Sequence, residues 1–263
     1  MLDALEQHWP EYLIEAALLG AFMMAACAFG VVFEHPASRV HLAVPNPFVR
    51  RALAGVAMGL TAITLIYSRW GKRSGAHMNP SVTLAFLKLG RMRSPDAAFY
   101  VTAQFLGAVV GVLVAWGVLG ARLAHPSVDF VTTQPGDPGP AVAFLAELVI
   151  SFVLMAVVIT FSASRWMRLT GLAAGALIFL YVTFEAPLSG MSMNPARSLG
   201  SALAARDLGA LWIYFVAPSL GMQLAAAIFR RRRVAGCAKL DHPPDVSCIF
   251  CGQRAPASSA TRA

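Results

Sequence analysis

Two short stretches of this chain share one design. Residues 75–87 read GAHMNPSVTLAFL, and residues 190–202 read GMSMNPARSLGSA. Each holds Met-Asn-Pro, then a small residue, then helix-forming sequence. Asn is a preferred helix N-cap, and Pro suits the first helical position because the N–H there lacks a partner anyway. Asn79 is therefore expected to cap a helix starting at Pro80, and Asn194 one starting at Pro195. The capping oxygen is then occupied by backbone N–H groups, which leaves the side-chain NH2 to donate elsewhere. The positive end of each helix dipole adds to that site.

These helices are conspicuous because the runs around them are so much longer. Apolar runs of bilayer length, about 20 residues, fall at roughly 12–33, 50–68, 95–120, 141–163, 169–186 and 208–229. The motif helices, 80–89 and 195–205, reach only about 15 Å, half the hydrocarbon thickness. They cannot cross. The chain is 57% hydrophobic and 13% charged, against about 25% charged in a soluble domain. It lacks the polar residues to cover a surface in water, so the reading is an integral membrane protein in a lipid bilayer. Acids but no Lys or Arg precede the first run, which argues for a retained span rather than a cleaved signal peptide.

The net charge of +8 sits in clusters between runs, at 69–73, 88–93, 165–168 and 230–233. That is a topology signal. No basic stripe with interleaved aromatics suggests a nucleic-acid partner. With six spans the clusters share one side, leaving Arg39, Arg122 and Arg206 opposite. The positive-inside rule places the clustered side and both termini in the cytoplasm of a multi-pass cell (inner) membrane protein.

The halves repeat, over about 10–120 and 140–230. Each runs as a span with a Glu, a second span, a short Asn-Pro helix and a third span. EYLIEAALLGAFMMAA, with Glu15, matches AFLAELVISFVLMAV, with Glu147. Three spans per repeat is odd, so the second half sits inverted. Inverted repeats with broken helices meeting at midplane are a transport architecture. The short helices then enter from opposite faces, and Asn79 and Asn194 meet at the centre. The expected fold is all-α, with six transmembrane helices and two half-membrane helices. The expected organisation is a channel domain over 1–230 and a cytoplasmic tail over 231–263.

Asn79-Pro80-Ser81 and Asn194-Pro195-Ala196-Arg197, paired within such a chain, resemble the aquaporin (major intrinsic protein) family, in its bacterial type. The likeness spans roughly 11–230, and the first motif departs from Asn-Pro-Ala by one hydroxyl. It implies a passive water channel, not an enzyme, needing no cofactor and usually a homotetramer. By the same resemblance Arg197 lines the narrowest part of the pore, repelling cations and donating to solute oxygens. It also places Met191, three residues before Asn194, and Val182, twelve before it, at the filter. Met58 completes the set, with Gly59 as the alternative.

That ring fits neither subclass. Water-selective members tend to carry an aromatic, a His and a small residue here; glycerol facilitators tend to carry two aromatics and Gly. Ser198, Ala202 and Tyr214-Phe215 look like the water type. Facilitation of glycerol, ammonia or metalloid acids is the alternative, and a structural or adhesive role would need a blocked pore. His77 fits the cytoplasmic entrance as a lining residue. Glu15 and Glu147 are either props for irregular backbone or a proton or ion site. Glu185 reads as a rim charge at the outer mouth, or as a partner of Arg197. In the tail, Cys248 and Cys251 have C-x2-C spacing that would suit zinc with Cys237 and His242, or they are spare thiols. No intramembrane metal triad is present in the sequence. Gly107, Gly111 and Ala115, four apart on the third span, permit close helix packing.

Overall fold

The computed structural model describes residues 1–230. The tail residues Cys237, His242, Cys248 and Cys251, and the basic run 231–233, lie outside the described residues. Six helices are long and apolar enough to cross a membrane among the described residues, and no strand occurs among them. The first half comprises α1 (Leu2–Glu34), the short α2 (Arg39–Ala43), α3 (Pro47–Tyr67), α4 (Arg69–Ser74), α5 (Pro80–Lys88) and α6 (Ser94–Leu119). The second comprises α7 (Pro140–Ser162), α8 (Thr170–Leu180), α9 (Ala186–Ser189), α10 (Pro195–Ala205) and α11 (Leu211–Arg230). The short α5 and α10 are the two motif helices, of 9 and 11 residues.

The halves interlock. Helix α1 packs along α6, and α7 along α11. Each half-membrane helix also packs on the last span of the other half, α5 on α11 and α10 on α6. The hydroxyl by which Ser81 departs from Asn-Pro-Ala meets Ser219 Oγ on α11 at 3.0 Å. It is satisfied in that packing seam.

Two boundaries and one charge placement differ from the hydropathy reading. Helix α1 begins ten residues early because side chains of its polar first turns are anchored to the start of α6. His8 Nδ1 lies 2.8 Å from Asp96 Oδ1, Tyr12 OH donates to the same oxygen at 2.6 Å, and Arg93 Nε donates to Oδ2 at 2.8 Å. The fifth span does not stop at Pro187. It passes through a π-helical turn at Tyr181–Glu185 into α9, where Pro187 sits in the first turn and needs no N–H partner. Helix α9 ends at Gly190, whose φ of 77° is left-handed. Finally, Arg50 and Arg51 join Arg39, Arg122 and Arg206 on the face opposite the basic clusters. Arg50 is consumed locally, by Glu34 Oε2 at 3.3 Å and the carbonyls of Val44 and Pro45.

The small-residue stripe on α6 is used inside the chain. A Cβ at Gly107 would lie 2.6 Å from Ala16 Cα, and one at Gly111 would lie 2.7 Å from Gly20 Cα. The backbones of α1 and α6 touch there, so the stripe says nothing about neighbouring subunits.

Candidate pore

The two Asn-Pro turns meet at the centre of the bundle and bind each other. Asn79 Oδ1 accepts from Ser81 N at 2.9 Å, and Asn194 Oδ1 accepts from Ala196 N and Arg197 N at 3.1 and 3.3 Å. Each side chain therefore caps its own helix. The amides are less free than the sequence suggests. Asn79 Nδ2 donates to Met193 O, and Asn194 Nδ2 donates to Met78 O, both at 2.7 Å. One N–H of each NH2 group is thus taken by the opposite loop, and the second remains for a solute.

The loops leading into these turns carry a backbone that most residues avoid. Gly75, Ala76 and Met78 have φ of 96°, 49° and 47°. Gly190, Met191 and Met193 repeat the pattern at 77°, 53° and 55°. Left-handed non-glycine residues cost on the order of 1–3 kcal/mol and persist only where the surroundings over-determine them. Two buried carboxylates accept hydrogen bonds from these loops. Glu15 Oε1 accepts from Ser74 Oγ at 2.7 Å and His77 N at 3.0 Å; its Oε2 accepts from Met78 N at 2.6 Å and Gln104 Nε2 at 2.8 Å. Glu147 Oε1 accepts from Ser189 Oγ at 2.9 Å and Ser192 N at 2.6 Å, and its Oε2 from Met193 N at 2.7 Å. Both have the bonding set that a backbone support requires.

Several members of this arrangement escaped the sequence reading. Ser74 and Ser189 each sit five residues before the motif Asn, followed by Gly. Their hydroxyls also accept from Ala76 N and Met191 N, both at 3.1 Å. Tyr100 OH and Tyr214 OH donate to the carbonyls of Ser74 and Ser189 at 2.8 and 2.7 Å. The shared Ser-Gly was visible in the sequence at matching distance from both motifs. The tyrosines and Gln104 carry no such local mark.

A cavity of about 330 Å³ runs through the bundle, with Phe33 and Glu34 at one end and Lys72 and Met167 at the other. Met58, Val182, Met191, Arg197, His77, Asn79 and Asn194 all line it. Pro80, Ser81, Pro195 and Ala196 do not; they lie behind the wall, in the starts of α5 and α10. Gly59 faces α8 instead, where a Cβ would come 2.6 Å from Gly175 O. His77 is held in place, with Nδ1 3.1 Å from Thr83 Oγ1 and its ring stacked on Phe86 at 4.8 Å. Arg197 is fixed by a loop rather than by an acid. Its Nη1 donates to Val131 O at 2.8 Å, and no carboxylate pairs with it among the described residues. Thr133 Oγ1, 2.8 Å from Ser198 Oγ, ties the same loop to α10.

Glu185 is not where the sequence reading put it. It is buried behind the loop, 2.5 Å from Ser189 Oγ, and neither forms a solvated rim charge nor pairs with Arg197. The π-helical turn that contains it removes the regular helical spacing on which the rim placement relied.

Two inverted halves, two half-membrane helices capped at the midplane and a through-running cavity define a membrane channel of the inverted-repeat class. The major intrinsic protein model matches residues 6–229. Among similar proteins, probable aquaporin NIP7-1 of Arabidopsis thaliana is 33% identical over 84% of this chain and 76% of its own length. Aquaporin NIP1-2 of Oryza sativa subsp. japonica is 37% identical over 80% and 67%. The fold matches the X-ray structure of the aquaglyceroporin from Plasmodium falciparum with a TM-score of 0.71 at 18% identity, covering 85% of this chain and 96% of that one. The chain belongs to the major intrinsic protein family. It is a multi-pass membrane channel.

Proposed function

We propose that the protein is a passive water channel that also passes other small neutral solutes and excludes ions and protons, with Met58, Val182, Met191 and Arg197 as its filter. The observation that supports this most is convergence. Both motif asparagines and Arg197 border one cavity whose remaining wall is mainly apolar. A solute shedding water there meets Arg197, loop carbonyls and the free N–H of each Asn amide. His77 lines the inner entrance, and Glu15 and Glu147 act as props. In this reading the protein transports without chemistry, so it is not an enzyme. Residues 1–230 form the channel domain and 231–263 a cytoplasmic tail. Both termini face the cytoplasm of the cell (inner) membrane, and four copies form a homotetramer.

Purified protein in liposomes is expected to shrink rapidly under an osmotic step, in stopped-flow light scattering. Met191→Trp, which fills the cavity beside Arg197, should return the rate to that of empty liposomes. Wild-type shrinkage no faster than empty liposomes overturns the water reading. A second reading, facilitation of a larger neutral solute such as glycerol, ammonia or a metalloid acid, is favoured by the ring itself. Three of its four side chains are apolar, and Met adapts to shape. Parallel uptake of labelled solutes separates the two.

Arg197→Val is expected to raise proton and cation leak by about 10- to 100-fold. A unit charge about 6 Å from the path repels a cation by roughly 3 kcal/mol at an effective dielectric of about 20. A fluorescent pH indicator trapped in the liposomes reads the leak. An unchanged rate removes Arg197 from ion exclusion.

A further inference from the structure

We propose that Glu185 is a positioning residue for the pore loop, acting as a neutral carboxylic acid that donates to Ser189 Oγ and so fixes the turn carrying Met191. The inference rests on the reading of Met191 as a filter residue.

The argument is a count of hydrogens around one hydroxyl. Ser189 Oγ lies 2.9 Å from Glu147 Oε1 and 2.5 Å from Glu185 Oε1, and it accepts from Met191 N at 3.1 Å. A serine hydroxyl has one hydrogen and two lone pairs. It can donate to only one of two carboxyl oxygens, so the other carboxyl must bring its own proton. Glu147 is the acceptor, because two backbone N–H groups already point at its two oxygens. Glu185 has no such donors, and its Oε2 is buried without a partner among the described residues. A charge there would be costly. With the proton on Glu185, every valence of Ser189 Oγ is used: one bond given to Glu147, one taken from Met191 N and one taken from Glu185.

The first half lacks this feature. Ser74 Oγ bonds to Glu15 and Ala76 N only, and the extra support comes from the neutral amide of Gln104. In the second half a further carboxyl, that of Glu185, bonds the serine hydroxyl itself. The other titratable or charged side chains around Glu185 are Glu147 on α7, Tyr181 in its own turn, Tyr214 on α11 and, on α3, Arg51, whose Nε donates to Thr183 O at 3.4 Å. Ionised Glu185 would set two carboxylates against a single hydroxyl. Repulsion would then release the Ser189–Met191 turn and loosen the filter towards larger solutes.

The test uses the full-length protein in liposomes, with stopped-flow permeability to water and to glycerol at about pH 5 and about pH 9. In the wild type the glycerol-to-water ratio should rise about fivefold from the lower to the higher pH, the low end of typical coupling between sites. Glu185→Gln supplies a permanent N–H donor to the same hydroxyl, so it should hold the ratio at the wild-type acid value at both pH values. Glu185→Ala removes the second carboxylate altogether, so its ratio should be the same at both pH values. Should Glu185→Ala fail to fold, wild type against Glu185→Gln still decides. A permeable wild type with a flat ratio overturns the inference alone, as does a Glu185→Gln response equal to that of the wild type. A wild type no more permeable than empty liposomes at either pH overturns the channel reading and the inference with it.

Discussion

Glu147→Ala is expected to abolish water permeability and to cut the yield of folded protein severely. The substitution strips the acceptors from Ser192 N and Met193 N, which donate to Glu147 at 2.6 and 2.7 Å in a fully buried site. Each orphaned buried donor costs about 1–3 kcal/mol, so the pair costs about 2–6 kcal/mol. A whole fold is stable by only about 5–15 kcal/mol. The left-handed backbone at Met191 and Met193 would lose its restraint at the same time. Glu147→Gln keeps one acceptor oxygen but turns an NH2 group towards a donor, so its defect should be intermediate. Glu15→Ala should be at least as severe, since Glu15 satisfies four donors. Gel-filtration yield in detergent and stopped-flow rates in liposomes measure both effects. A folded Glu147→Ala protein with wild-type permeability would rule out the prop role.

Gly107→Val should be nearly as damaging, through packing alone. Its first added carbon would stand 2.6 Å from Ala16 Cα and 2.7 Å from Ala16 C, both backbone atoms that cannot turn aside. Helices α1 and α6 would have to separate. Overpacking of this kind costs about 1–3 kcal/mol, and more where backbone must move. The effect reaches the pore, because α10 rests on α6, with Gly200 beside Ala108 O. The expected readout is a clear fall in the midpoint of thermal unfolding in detergent, with reduced permeability. Gly117, with open space at its Cβ position on the same helix, is the control. Gly117→Val should leave both quantities near wild type, and equal losses at the two sites would count against helix contact as the cause.

The span count, the inversion and the meeting of the two asparagines were legible because each follows from helix length against bilayer thickness. The motifs also marked their own capping. Less legible were features that depend on what a distant residue supplies. Nothing near Asn79 says that half of its amide is taken by a carbonyl in the other repeat. Arg197 gives no local hint that a carbonyl at Val131, in a loop between the halves, holds it. Regular helical spacing misplaces Glu185 because the turn that carries it is π-helical. Hydropathy does not mark the early start of α1, because it measures fit to lipid, whereas that segment is held by Asp96.

The reciprocal amide–carbonyl pair between the two turns also bears on how the chain is assembled. The ribosome delivers Met78 and Asn79 long before their partners, which lie 116 and 114 residues further along. Until the second repeat enters the bilayer, the first turn has an amide and a carbonyl with nothing to bond. Insertion of the first three spans therefore cannot by itself yield a finished half. The final geometry of each turn must wait for the other, so the last folding event should be a docking of two repeats. Two halves expressed as separate polypeptides would then be inert alone and competent when made together.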